Sequence, residues 1–302
     1  MENIILPANF SVKDIQYGTP RTLDSGGKSI YLSLNKAPIV IQTPEMWAPF
    51  GKQKWENEKG VPKFTLDLSF KGQESRPVLE TFYTKMTELD NKLIDDGVEN
   101  SFEWLKKKNI SREVASNLHT KLVRHHVDKD TGEITNKYPP TFKLTLPWKA
   151  KNPANPSEGG DFTCEVFDNN KNRVDLNTIE TKGCKVTAII QCLGLWSAAG
   201  KYGCTWKVLQ MRIVPPPTIK GYAFKEIEND KVEDEDIDEG KEDEEDEEVD
   251  PDEILHHSHI DKTSNDDDDV VDSTDEEDDL EIKKTETVKS LPAKKVTSVK
   301  KK

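Results

Sequence analysis

Residues 63–70 read KFTLDLSF, where Phe64, Leu66, Leu68 and Phe70 alternate with polar positions, the period-two signature of a strand with one buried face. Shorter β-branched or aromatic runs at 12–17, 29–34 and 39–42 predict further strands. Turn compositions at Asp24-Ser25-Gly26-Gly27 and Asn35-Lys36-Ala37-Pro38 separate them. The period then lengthens. Between 76 and 95, Leu79, Phe82, Tyr83, Met86, Leu93 and Ile94 recur at helical spacing, with Ser75 as N-cap, Pro77 in the first turn and Gly97 closing the element. Two shorter helical patches follow at 101–108 and 111–122. Strands resume at 124–127, 142–146 and 162–167. Two long strands, 185–196 and 205–214, end the pattern, joined by 197–203 and stopped by Pro215-Pro216-Pro217. Strands, a helical insertion over about 75–122, then strands again, without βαβ alternation, predict a mainly β protein: a mostly antiparallel barrel or sandwich.

Charge divides the chain in two. The 302 residues carry a net charge of −14, yet 226–281 alone holds 31 acidic residues against 3 lysines, a net −28 with no aromatic residue among them. Such like-charge density cannot bury a core, so 225–302 reads as a disordered tail, acidic over 226–281. Residues 282–302 reverse the sign, with 8 Lys against 1 Glu. What precedes the tail, 1–224, is a body of net +6 that holds all 22 aromatic residues and all 4 cysteines. A cationic, aromatic-rich body tethered to a polyanion points to a partner that is itself a polyanion, nucleic acid first.

Several chemistries lack support. Ser25-Gly26-Gly27-Lys28-Ser29 ends like a phosphate-binding loop, but Thr22 stands where the first glycine is required. Asp266 to Asp269 lacks the glycine and alternation of a calcium loop. Cys164, Cys184, Cys192 and Cys204 have no C-x-x-C spacing, so buried free thiols are expected, with no metal and no cofactor. His119, His125 and His126 stand with no nucleophile or carboxylate at recognisable spacing, and the chain does not read as an enzyme. The absence of a long apolar run or a signal-like N-terminus predicts an intracellular protein without a membrane partner.

Three segments mix rings with cations. Residues 193–207 place Trp196, Lys201, Tyr202, Trp206 and Lys207 around a glycine-rich hairpin tip. Simple alternation along the second strand sets Trp206, Val208, Gln210 and Arg212 on an outer face, and Lys207, Leu209, Met211 and Ile213 on the core face. Trp196 and Trp206 fit either core anchors packed across the hairpin or stacking rings, whereas Lys201 and Tyr202 near the tip are expected to be exposed. The other segments hold Lys52, Lys54 and Trp55, and Lys143 with Trp148 just beyond. Rings that stack on bases, beside cations for the backbone, are what single-strand binding requires.

Residues 42–51 (QTPEMWAPFG), 138–144 (YPPTFKL) and 200–207 (GKYGCTWK) resemble the replicative single-stranded-DNA-binding proteins of T-seven-like phages and their relatives in nucleo-cytoplasmic large DNA viruses. The resemblance spans most of 1–217. It implies an OB-type barrel with a helix inserted between strands, and a cooperative role coating unwound DNA in replication, recombination and repair. It also implies an acidic tail that meets replication proteins such as a polymerase or helicase. The setting would be a host nucleus or a cytoplasmic viral replication factory, and a homodimer is compatible with it. The phage tails commonly end in a terminal aromatic residue, whereas this chain ends Lys300-Lys301-Lys302. Two other classes remain: an acidic-tailed chaperone of basic proteins, and a non-enzymatic virion or assembly protein whose barrel is an interaction module.

Overall fold

The computed structural model describes residues 4–56, 61–217 and 222–225. The acidic block 226–281 and the basic 282–302 lie outside the described residues. Five strands form the barrel: β1 (Met46–Ala48), β2 (Pro62–Ser69), β3 (Thr141–Leu146), β4 (Cys184–Ala198) and β5 (Lys201–Val214). β2 pairs antiparallel with β1 and β3, and β4 with β1 and β5. β3 meets β5 in parallel at Thr145 and Lys207. The circuit β1-β2-β3-β5-β4-β1 is therefore closed and follows OB-fold connectivity, which agrees with the expected mainly β class. A further strand, Lys52–Glu56, continues the line of β1 along β2, from Lys52 opposite Leu66 to Glu56 opposite Pro62.

Alternation explains which side chains fill the barrel. Leu66 and Leu68 on β2, Phe142, Leu144 and Leu146 on β3, and Val186, Ala188 and Ile190 on β4 are all buried in one cluster. On β5 the alternation breaks. Ile189 pairs with Gln210 but Ile190 with Val208, so Leu209 is an extra residue in a β-bulge. Before the bulge the inward residues are Trp206 and Val208; after it they are Met211 and Ile213. The uniform alternation expected from sequence is thus right after the bulge and wrong before it. Trp206 and Val208 belong to the core, and Lys207 turns outward onto the same face as Gln210 and Arg212.

The helical insertion sits between β2 and β3 as α1 (Pro77–Glu99), α2 (Ser101–Leu105) and α3 (Arg112–Leu118). Ser75 ends a 3-10 turn rather than capping α1, whose N-cap is Arg76 without a side-chain bond, while Ser111 caps α3 by accepting from Val114 N. The buried stripe of α1 runs Leu79, Phe82, Met86, Leu89, Leu93 and Ile94. Phe82 packs 5.5 Å from Phe142 and 5.9 Å from Phe70 (ring centroids), tying α1 to the barrel. No helix among the described residues is long and apolar enough to cross a membrane.

Two polar anchors hold the insertion. The buried carboxylate of Asp90 on α1 accepts from Leu122 N (2.9 Å), Val123 N (3.1 Å) and the His119 ring at Nε2 (2.7 Å). The Tyr202 hydroxyl donates toward Leu93 O (3.3 Å) and Ala115 O (3.2 Å), joining β5 to α1 and α3. Gly97 makes this approach possible. It does not end α1, as expected, but lies inside it, where a Cβ would overlap the Tyr202 hydroxyl and stand 2.8 Å from Cζ. Gly97→Ala gains about 1 kcal/mol of helix propensity. Overpacking against a fully buried ring costs about 1–3 kcal/mol. A lower urea midpoint is therefore expected; a higher one would mean that Tyr202 yields freely.

Candidate nucleic-acid interface

Leu66 and Leu68 point into the barrel, so Thr65, Asp67 and Ser69 lie on the other side of β2, where all three are nonetheless buried, with the half-buried Thr141, Lys143 and Thr145 opposite them on β3. Trp55 stands at the rim of this face, 54% exposed, and its indole N–H donates to Thr65 Oγ1 (3.2 Å). Lys143 Nζ lies 5.7 Å from the Trp55 ring centroid, a cation over an aromatic face. Arg124 joins from the short strand paired with β3, opposite Thr141. Lys207 joins from β5 beside Thr145. The assembled surface carries the exposed Trp55 ring with Lys63, Arg124, Lys143 and Lys207 around it.

Asp67 lies among them as register partner of Lys143. It is 93% buried (relative exposure 7%), and its Oδ1 has no hydrogen-bond partner. Burial raises its carboxyl above the ordinary aspartate value, while Lys143 first and then Arg124 oppose the rise. Neither Asp67 nor Arg124 stands among the site residues expected from sequence. The alternation of 63–70 already placed Asp67 opposite the leucines, so its outward direction was readable; its neighbours, from strands far along the chain, were not.

The other expected residues scatter. Lys52 turns inward: its ammonium donates to Leu176 O (2.6 Å) and sits 5.2 Å from the Phe162 ring centroid. Burial lowers its pKa below the ordinary lysine value, so it is a structural cation. Lys54 is exposed and paired with Glu56 at 2.6 Å. Trp148 packs 5.7 Å from Phe64 and presses on Gly160, half-buried beside a shallow cavity of about 270 Å³ that Lys54 also lines.

At the β4–β5 hairpin the turn is only Ala199 and Gly200, with φ of 49° and 80°. Lys201 is exposed beside it. Tyr202, expected at an exposed tip, is fully buried, because β5 starts at Lys201 and the helical insertion covers its first turn of side chains. Trp206 is likewise core, 6.2 Å from Phe142. Neither ring faces outward to stack on a base. Trp196 is half-buried and lies across Gly203, where a Cβ would come within 3.0 Å of the indole. Arg212 is exposed beside a groove of about 350 Å³ that Gln42, Phe167 and Lys171 also line. It lies roughly 16 Å along β5 from Lys207. The structure therefore joins Trp55, Lys143 and Lys207, and leaves Lys201, Trp148 and Arg212 apart from them.

One family model matches residues 75–227, half of the chain. The chain belongs to DUF5871, a family of unknown function. No curated protein sequence matches it. Among solved structures, the chain is similar to gp2.5, a single-stranded DNA binding protein encoded by bacteriophage T7, at 12% identity and a TM-score of 0.35, covering 69% of this chain and 100% of that one. It is also similar to the single-stranded DNA-binding protein of bacteriophage Enc34 in complex with ssDNA, at 11% identity and a TM-score of 0.33, covering 68% and 98%. The DUF5871 match starts just before α1 and runs past β5. It therefore contains Arg124, Lys143 and Lys207, whereas Trp55 and Asp67 precede it.

Proposed function

We propose that this protein binds single-stranded DNA across the outer face of β2 and β3, coating unwound strands in replication, recombination and repair. The observation that carries the reading is the exposed Trp55 ring under the Lys143 ammonium. It lies on the barrel face that OB folds use for oligonucleotides. Arg124 and Lys207 extend the positive charge along the same surface, and the body carries a net +6. Bases stack on the ring while the cations take the phosphates. The sequence resemblance to phage and viral replication proteins supports replication of viral DNA as the setting. Residues 226–281 act as a tethered competitor for the face and, once displaced by DNA, engage basic surfaces of a polymerase or helicase. The chaperone reading differs in where activity resides: it predicts that the tail alone carries the binding.

Titrating the protein with poly(dT) and with duplex DNA tests this through tryptophan fluorescence. The single strand is expected to quench and the duplex to do so far less. Trp55→Ala removes the stacking ring, a loss of about 1–3 kcal/mol, or roughly five- to 150-fold in affinity. It should also remove most of the quenching, because Trp55 is the one exposed tryptophan of the six: Trp104 and Trp206 are buried, and Trp47, Trp148 and Trp196 are half-buried. Equal responses to both polymers, or an unchanged Trp55→Ala variant, would overturn the assignment of this face.

A further inference from the structure

We infer that α2 carries a second contact for single-stranded DNA, the exposed Phe102 ring set among lysines, which a strand longer than the β2–β3 face also engages. The inference rests on the single-strand reading above and adds to it the place where the strand continues. α2 buries Ser101, Trp104 and Leu105, which leaves Phe102 on its outer side, 57% exposed. A single exposed phenylalanine is ordinary. The charge around this one is not: Lys106 Nζ lies 5.8 Å and Lys108 Nζ 5.4 Å from the ring centroid, and Lys107 between them is exposed. Trp55 and Lys143 make the same kind of pair on the β2–β3 face.

Elements distant in sequence bring further charge to this ring. Lys28 stands in register with Ser197 of β4, and its ammonium donates to Glu103 O on α2. The Ser197 hydroxyl donates to Trp104 O (2.6 Å), which seats the β4–β5 hairpin, with its exposed Lys201, on α2. Glu99 and Glu103 offset two of the five positive charges. Among the described residues, no carboxylate forms an ion pair with Lys106, Lys107, Lys108 or Lys201. Desolvation first, and then the neighbouring Lys106 ammonium, hold Lys28 below the ordinary lysine pKa, against the pull of Glu103. Cations crowded in this way repel one another, and a phosphate placed among them turns repulsion into attraction.

The ring selects which polyanion fits. Residues 226–281 contain no aromatic residue and would use the cations alone. A nucleotide strand uses both, its bases on the ring and its phosphates on lysines whose flexible stems can follow them. Lys207 lies on the β2–β3 face, and Lys201 stands six residues back along β5, about 20 Å away. A strand that reaches both contacts makes the second one intramolecularly, so the two reinforce each other.

The test titrates the full chain with dT oligomers of about six and about twenty nucleotides, which bracket the usual site size of about 4–16. Fluorescence anisotropy compares the wild type with Phe102→Ala and with the double variant Lys106→Asn, Lys108→Gln. Asn suits position 106, where φ is 58°. Phe102→Ala is expected to weaken the long oligomer about fivefold or more and to leave the short one unchanged. Phe102→Leu, which keeps the bulk but not the aromatic face, should lose nearly as much. The double variant should flatten the salt slope for the long oligomer by about 1.4, two phosphate contacts at about 0.7 each. All three side chains are exposed, so these variants should keep the wild-type fold. Equal long-oligomer affinities in wild type and Phe102→Ala would overturn the inference, as would an equal loss on both lengths. Tighter binding of the long oligomer by the double variant would overturn it as well, since the patch would then hold the acidic segment instead. A wild type that binds neither oligomer removes the proposed function and this contact together. Loss in Trp55→Ala with none in Phe102→Ala removes this contact and leaves the β2–β3 face standing.

Discussion

Asp90→Ala is expected to lower stability by about 3–5 kcal/mol, because three buried donors lose their common acceptor. Asp90 is 6% exposed, and its two oxygens satisfy Leu122 N, Val123 N and His119 Nε2. Truncation leaves two amides and an imidazole buried without acceptors, in a segment whose His119 Nδ1 already lacks a partner. Hydrogen bonds to a charged group contribute about 1.5–3 kcal/mol each, against a total stability of about 5–15 kcal/mol for a domain. Asp90→Asn keeps one acceptor oxygen and should lose roughly half as much. Urea unfolding followed by circular dichroism measures both. A loss below about 1 kcal/mol for the alanine variant would show that water replaces the carboxylate and that the segment is not anchored there.

The second large effect concerns affinity. Deleting 226–302 is expected to tighten single-strand binding about tenfold at low salt. On the proposed competition, the acidic segment is part of the same chain as the cationic face and meets it at the effective concentration of a short linker, about 1 mM. If the segment's own dissociation constant for that face is about 0.1 mM, it occupies the face about ten times more often than it leaves it free, and DNA must displace it. Salt weakens the segment's contacts along with those of DNA, so full-length protein should lose affinity less steeply than the truncated form and the two should converge. Removing only 226–281 separates the acidic block from the +7 terminus. Equal affinities across the salt range would remove the competition.

Alternation and helical period made the strand at 62–69, the long helix and the two closing strands legible in the sequence, because each depends on neighbours only a few residues away. The errors arise where one residue changes the phase. Leu209 bulges, and every side chain of β5 before it reverses face. The same mechanism recurs on β4, where Cys192 pairs with Trp206 and Gly194 with Thr205, leaving Leu193 extra. No propensity marks Leu209 or Leu193 as an inserted residue; the bulges exist only in the pairing of β4 with β5. Gly97 reads as a helix stop for the same reason: its role depends on a tyrosine 105 positions later. The site was legible as composition, rings near lysines, but not as a place. Trp55, Asp67, Arg124, Lys143 and Lys207 come from five strands, and only the barrel's register puts them on one surface.

That register also has a consequence during synthesis. The bond from Ala188 N to Thr43 Oγ1 ties residues 145 positions apart, and β1 finds its partner β4 over a similar span. At about 5–20 residues per second, the ribosome needs roughly 7–30 s to deliver β4 after the N-terminal strands have emerged. Throughout that interval the β1–β2 hairpin presents an unpaired edge, and Leu66 and Leu68 lack the layer that covers them. The nascent chain is thus most exposed to mispairing before β4 and β5 exist, and a ribosome-stalled chain ending before residue 184 should be the form that chaperones hold longest.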